Sequence, residues 1–164
     1  PETIVEQALR LALGRRDLEG LRLVVTAGPT REHIDPIRFV SNRSSGRMGY
    51  ALAEAARDRG ADVTLITGPT ELARPGGVRV LSFETADELH ALLLAEFPDC
   101  DGLVMAAAVA DFIPEASRER LHRSEGGRTL RLAPAPTGRV TAKCARCKAW
   151  VQVPLRYTGD MTPS

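Results

Sequence analysis

Between Ser41 and Gly49 the chain crowds together residue types that can handle an anion. Asn42, the serines Ser41, Ser44 and Ser45, the arginines Arg43 and Arg47, and the glycines Gly46 and Gly49 all fall within one short stretch. A helical period begins near Ser45. A helix N-terminus offers unpaired backbone N–H groups and a partial positive charge. The glycines let a ligand or another backbone come close, the serines add hydroxyl donors and the arginines add charge, a combination suited to phosphate. The plainer reading makes Ser45 an ordinary N-cap and the glycines packing residues.

Two familiar phosphate motifs are excluded. A P-loop needs Lys followed by Ser or Thr at the helix start, and there is none. A dinucleotide fingerprint needs closely spaced glycines straight after the first strand and an acidic residue ending the second. The second apolar run, Asp62–Thr67, ends in Thr67-Gly68. An NAD-linked or FAD-linked oxidoreductase is therefore disfavoured.

The elements that must position this stretch follow from periodicity. Leu21–Ala27 is a short apolar run closed by Gly28-Pro29, too short for a helix, and reads as a buried parallel strand. A long connection runs from Gly28 to Ser44, where strand-to-helix loops usually take about 2–6 residues, and such length points to function. Met48, Ala51, Leu52, Ala55 and Arg59 share one face of the helix, with Gly60 closing it. Strands are predicted at Asp62–Thr67, Val78–Phe83 and Gly102–Ala106. Thr85 and Glu88 make a capping box for a second helix with the stripe Ala86, Leu89, Leu93, Phe97. This alternation predicts a doubly wound α/β sheet, whose ligands bind beyond the carboxyl ends of the strands. Those ends are Gly28-Pro29-Thr30, Thr67-Gly68-Pro69 and Ala106 to Asp111. Beyond Ser117 the pattern decays; Thr129–Leu132 reads as a short strand and Ala133-Pro134-Ala135-Pro136 as a loop.

Composition sets the outer bounds. The 164 residues carry 43% hydrophobic content and a formal net charge of +1, as expected of a globular domain with no bulk attraction to nucleic acid or membrane. No apolar run approaches the roughly 20 residues of a spanning helix. The N-terminus does not read as a signal peptide, and three cysteines make no disulfide framework, so a cytoplasmic compartment is expected. Val5, Ala8, Leu9 and Ala12 predict a short amphipathic helix within a linker spanning 1–20, ahead of a nucleotide-binding domain over 21–136 and a basic tail over 137–164.

With these residues in view, TAGPTREHIDPIRFVSNRSSGRMGYALAEAARDRGADVTLITGP followed by MAAAVADF closely resembles phosphopantothenoylcysteine synthetase, the synthetase half of the bifunctional coenzyme A biosynthesis flavoprotein family. The resemblance covers roughly residues 15–136. It implies a Rossmann-like three-layer αβα sandwich with a mostly parallel sheet, usually dimeric, in many bacteria preceded by a flavin-dependent decarboxylase domain. It also implies a reaction. CTP, with Mg2+ or another divalent cation, activates the carboxylate of 4'-phosphopantothenate as an acyl-cytidylate, and cysteine then attacks through its amine. Holding two anionic reactants together demands positive charge and oriented amides. By this resemblance Gly28, Ser44, Ser45 and Gly46 line the phosphate site, and Asn42 handles the acyl-cytidylate. Ala107, Ala108 and Asp111 contact the nucleotide. Asp111 could bond ribose hydroxyls or the cytosine edge, or assist the metal; plainer roles are a turn residue for Asn42 and a cap for Asp111. Asp35 and Arg38 belong to the loop, where the plainer reading is a salt bridge holding it.

The chain also departs from the family pattern. Arg120, in Arg120-Leu121-His122-Arg123, takes the position of the family Lys that reaches the triphosphate; Arg and Lys differ in geometry. After Thr137 the segment GRVTAKCARCKAWVQVPLRYTGDMTPS does not resemble the expected continuation, which carries part of the nucleobase pocket. Cys144 and Cys147 supply two of the four ligands zinc normally takes, and His33, His90 and His122 are scattered. Cys100 reads as a small hydrophobe. The two functional expectations are thus a CTP-dependent phosphopantothenate-cysteine ligase, and a catalytically impaired relative that binds nucleotide or pairs with a partner.

Overall fold

The computed structural model of the chain describes residues 16–121, 129–134, 139–143 and 150–154. The first strand, β1 (Arg22–Ala27), lies at the centre of the molecule. It is followed by a small hairpin of β2 (Arg31–His33) and β3 (Phe39–Ser41), and by helix α1 (Arg47–Asp58). Then come β4 (Asp62–Thr67), β5 (Arg79–Ser82), helix α2 (Ala86–Glu96), a 3-10 turn at Phe97–Asp99 and β6 (Gly102–Met105). The four long-range strands form one parallel sheet in the order β5-β4-β1-β6.

Three layers follow from the alternation of side chains along these strands. Val24 and Ile66 pack with Leu89, Leu93, Phe97 and Cys100 beneath α2. Val25, Ala27, Val63 and Leu65 pack with Tyr50, Ala53 and Ala56 beneath α1. Both faces of the sheet are covered, which is why β1 and β4 read as nearly continuous apolar runs. Cys100 is buried in the α2 layer, the small-hydrophobe role expected of it. The capping box of α2 forms as expected: Thr85 accepts from the Glu88 N–H, and the Glu88 carboxylate accepts from the Thr85 N–H.

The face shared by Met48, Ala51, Leu52, Ala55 and Arg59 is not the one α1 buries. Met48 is 66% exposed and Leu52 40%, while Gly49, Tyr50, Ala53 and Ala56 are buried. Small residues win this face because the helix lies nearly in contact with β1. A Cβ on Gly49 would stand 2.5 Å from the Ala27 Cβ and 2.7 Å from the Thr26 carbonyl oxygen. Close approach of a helix to a strand requires little side-chain volume, and apolar size along the sequence points the other way. At the far end Gly60 has φ of 93°, the closing position expected for it.

The connection from Gly28 to Ser44, expected as a loop, contains the β2–β3 hairpin, paired Arg31↔Ser41, Glu32↔Val40 and His33↔Phe39. Its strands of three residues leave no periodic trace, and contacts from elsewhere in the chain hold it. The short strand expected at Thr129–Leu132 is displaced to β8 (Leu132–Pro134), which pairs with β7 (Phe112–Pro114). Ala133 and Pro134 are therefore strand rather than loop. Both prolines sit in a two-stranded ribbon, where a missing ladder donor is tolerated. Beyond Thr137, where the sequence has little periodicity, β9 (Arg139–Lys143) and β10 (Trp150–Pro154) pair as an antiparallel hairpin. The helix predicted from Val5, Ala8, Leu9 and Ala12, and the residues His122, Arg123, Cys144 and Cys147, lie outside the described residues. Among the described residues no helix is long and apolar enough to cross a membrane.

Candidate functional site

In the order β5-β4-β1-β6 the chain leaves β1 toward β4 on one side and reaches β6 on the other. The crevice beyond β1 and β6 is therefore the topological switch point, where open α/β sheets bind ligands. Fully buried Thr26 ties the two strands together there: its Oγ1 accepts from the N–H groups of Ala106 and Ala107, each at 3.0 Å. The next residues continue the seam. The Ala108 N–H donates to the Gly28 carbonyl at 2.8 Å, the Thr30 N–H donates to the Ala108 carbonyl at 3.2 Å, and the Ala110 N–H donates to Thr30 Oγ1 at 3.0 Å. Asn42 closes it from above, its Nδ2 donating to the Val109 carbonyl at 2.9 Å.

The second wall is the start of α1. Gly46, with φ of 74°, is the N-cap, two residues before Met48; the helix begins at Arg47, so Ser45 neither opens nor caps it. The Gly46 N–H donates to Ser44 Oγ at 3.3 Å. Gly28, with φ of 76°, lies against it: a Cβ on Gly46 would come within 3.4 Å of the Gly28 nitrogen and 2.7 Å of the Thr70 methyl. The glycines thus serve a close meeting of backbone with backbone. Thr70 also lines a cavity of about 420 Å3 at the carboxyl ends of β4 and β5, together with Tyr50, Gly68, Phe83 and Glu84.

The two helix starts contrast sharply. At α2 the capping box, Asp87 and Glu88 neutralise the dipole, and the buried Glu32 carboxylate accepts from the Ala86 N–H at 3.1 Å. At α1 no side chain caps the first turn and no acid stands in it. Its positive end is thus not offset by a capping side chain or an acid of the first turn, and Arg43 and Arg47 flank it in sequence.

The β2–β3 hairpin is pinned at its base and its tip. Ser41 Oγ donates to the Thr30 carbonyl at 2.7 Å, and the Arg31 guanidinium lies 4.6 Å from the centre of the Phe39 ring. At the tip Asp35 is buried. Its Oδ1 accepts from the N–H groups of Ile37 (2.9 Å) and Arg38 (2.8 Å), and its Oδ2 accepts from the Leu121 N–H at 3.2 Å. Arg38 stands 3.5 Å from Oδ2 and donates to the Leu121 carbonyl at 2.9 Å. Burial pushes the Asp35 carboxyl up, but the Ile37, Arg38 and Leu121 N–H donors and the Arg38 charge outweigh it and hold the group below its ordinary value.

Of the residues expected at the site, Gly28, Asn42, Ser44, Gly46, Ala107 and Ala108 meet in this seam. Ser45 and Asp111 stand exposed on the two loops that leave it. Arg120 is exposed, its neighbour Leu121 held at the hairpin tip. Thr26 and Glu32 lie outside the expected site residues, and Thr30 is expected only as part of the strand end Gly28-Pro29-Thr30. Their signal was a polar residue inside or just after an apolar run, which by itself does not say what it will bond. Among the described residues no group of three or more His, Cys, Asp or Glu is placed to hold a metal ion.

The fold and this seam define an α/β domain of the Rossmann type with an uncapped, acid-free helix start at its switch point. Residues 18–152 match the model of the DNA/pantothenate metabolism flavoprotein C-terminal domain, and the chain belongs to that family. It is 47% identical over 141 residues to the coenzyme A biosynthesis bifunctional protein CoaBC of Mycobacterium tuberculosis, covering 84% of this chain and 33% of that protein. It is 40% identical over 155 residues to a cysteine/cysteine sulfinic acid decarboxylase of an unknown prokaryotic organism, covering 90% and 42%. Among solved structures, the C-terminal domain of CoaBC superposes with a TM-score of 0.63 at 39% identity, covering 72% of this chain and 55% of that one. The chain thus spans about a third of the bifunctional relative's length, within the C-terminal part. The resemblance read from its motifs is borne out at the level of the family.

Proposed function

We propose that this chain carries the ligase chemistry of coenzyme A biosynthesis, joining 4'-phosphopantothenate to cysteine at the expense of CTP. The observation that supports this reading best is the uncapped, acid-free start of α1 beside Gly28, with Asn42 bridging to the segment of Ala107 and Ala108. In the first half-reaction a carboxylate oxygen of phosphopantothenate attacks the α-phosphorus of CTP, and pyrophosphate leaves. In the second the cysteine amine attacks the acyl carbon, CMP leaves, and the amine loses a proton as the amide forms.

Each residue has a part its chemistry allows. The α1 dipole and Arg47 oppose the charge of the phosphates, and Ser44 adds a hydroxyl. Asn42 spends one N–H on Val109; its other N–H and its oxygen serve the acyl-cytidylate without adding charge. Arg120 reaches the triphosphate, and Asp111 bonds the nucleotide. A divalent cation bound with CTP would neutralise phosphate charge. With no cluster of three or more His, Cys, Asp or Glu to cage it among the described residues, the nucleotide phosphates would be its main ligands, as is common for Mg2+. Flavin belongs to a fused or partner decarboxylase domain, outside this reading. A cytoplasmic homodimer that takes up no nucleic acid completes the proposal.

The test is pyrophosphate release from CTP and phosphopantothenate before any cysteine is added. Release supports the ligase. The second reading is a nucleotide-binding or partner-pairing relative without turnover. It draws on Arg120 standing where the family resemblance expects Lys, a change of geometry at the triphosphate. Measurable CTP binding with no release would favour it.

A further inference from the structure

We propose that Asp35 is a positioning residue that sets the Arg120–Leu121 peptide against the hairpin that leads into Asn42. Four polar contacts converge on two residues. Asp35 Oδ1 holds the local turn through the Ile37 and Arg38 N–H groups, while Oδ2 reaches 86 residues along the chain to the Leu121 N–H. Arg38 completes the grip from the other side by donating to the Leu121 carbonyl. Both polar groups of Leu121's backbone are thus taken by one ion pair. The Ser117 N–H, donating to the Ile34 carbonyl at 2.8 Å, guides the same segment onto the hairpin.

A surface turn needs none of this. An Asp preceding Pro stabilises a turn with one carboxylate oxygen. The second oxygen has no solvent exposure in its side chain and is spent on a distant backbone amide. Such a carboxylate fixes one segment to another. Arg120 is next in sequence to the gripped residue, and Asn42 lies four residues beyond Arg38, immediately after β3. Asp35 therefore sets the spacing between two groups to which the proposed ligase assigns work on one intermediate, and the functional half of the inference rests on that reading.

Asp35→Asn separates the two jobs. Its amide oxygen keeps the bonds to Ile37 and Arg38, while its NH2 faces the Leu121 N–H, donor against donor. In the full chain, hydrogen exchange at the Leu121 amide should accelerate by about tenfold or more, with the Ile37 and Arg38 amides unchanged. Pyrophosphate release should lose about tenfold in kcat/KM for CTP, the scale expected when a charged group is misplaced by an ångström or less. Arg120→Ala should cost nothing further in the Asp35→Asn background, whereas two independent roles give additive losses. Unchanged Leu121 exchange in Asp35→Asn, or additive losses in an active enzyme, overturns the proposal. Accelerated exchange in a chain whose wild type releases no pyrophosphate supports the grip and sinks the ligase reading instead.

Discussion

The side-chain amide of Asn42 and the carbonyl of Val109 lie 2.9 Å apart across 67 residues of sequence. This one bond fastens the loop before α1 to the segment that leaves β6. Asn42→Asp removes the donor and sets a carboxylate against a carbonyl oxygen and, in the proposed reaction, against the acyl-cytidylate. The cysteine step should fall about a hundredfold, a loss on the scale of removing one oriented donor, and the activation step should fall less. Separate measurement of pyrophosphate release and amide formation checks this; equal loss in both removes the role.

Thr26→Val tests the seam itself. Valine matches threonine in shape but cannot accept from Ala106 and Ala107. Leaving buried N–H groups unpaired costs about 1–3 kcal/mol each. Urea denaturation should show that loss, and Thr26→Ser, which keeps the hydroxyl, should recover most of it.

Gly49→Ala should destabilise by about 1–3 kcal/mol, since overpacking forces α1 away from β1. The added Cβ would meet Ala27 and the Thr26 carbonyl well inside contact distance. Gly76→Ala is the control, because nothing lies within 4 Å of the Cβ it would add. Thermal melts of the two variants should diverge, with Gly76→Ala close to wild type.

Asp35 predicts an acid limb. Its folded pKa lies below the ordinary aspartate value, so the carboxylate's stabilisation is complete above that value and is lost as pH falls through the folded one. Denaturant stability measured from neutral pH down into the aspartate range should decline, and Asp35→Asn should flatten the part of the decline that belongs to this group. An unchanged acid slope in the variant would deny Asp35 that share.

Wherever the signal is local, the fold and site are legible in sequence. The capping box of Thr85 and Glu88, the Gly60 closure and the bounds of β4 follow from residues that interact with near neighbours. The seam residues Gly28, Asn42, Gly46, Ala107 and Ala108 were found through motif resemblance. Thr26 and Glu32 were not, and Thr30 was placed only at a strand end, because a buried polar residue declares its role only once its partner is known. The same limit hid the β2–β3 hairpin, whose anchors on Ala86 and Leu121 are remote in sequence.

By itself, then, the sequence determined the order and type of the main elements, the parallel α/β class and the chemistry suggested near Ser44. Period, caps and turn residues act over a few positions, and those are written directly in the chain. Only the tertiary structure decided which face of α1 is buried, where the helix begins, and which polar atoms hold β1 to β6. Those outcomes depend on backbones meeting at contact distance, and a packing of Gly49 on Ala27 has no counterpart in the spacing of residues along a line.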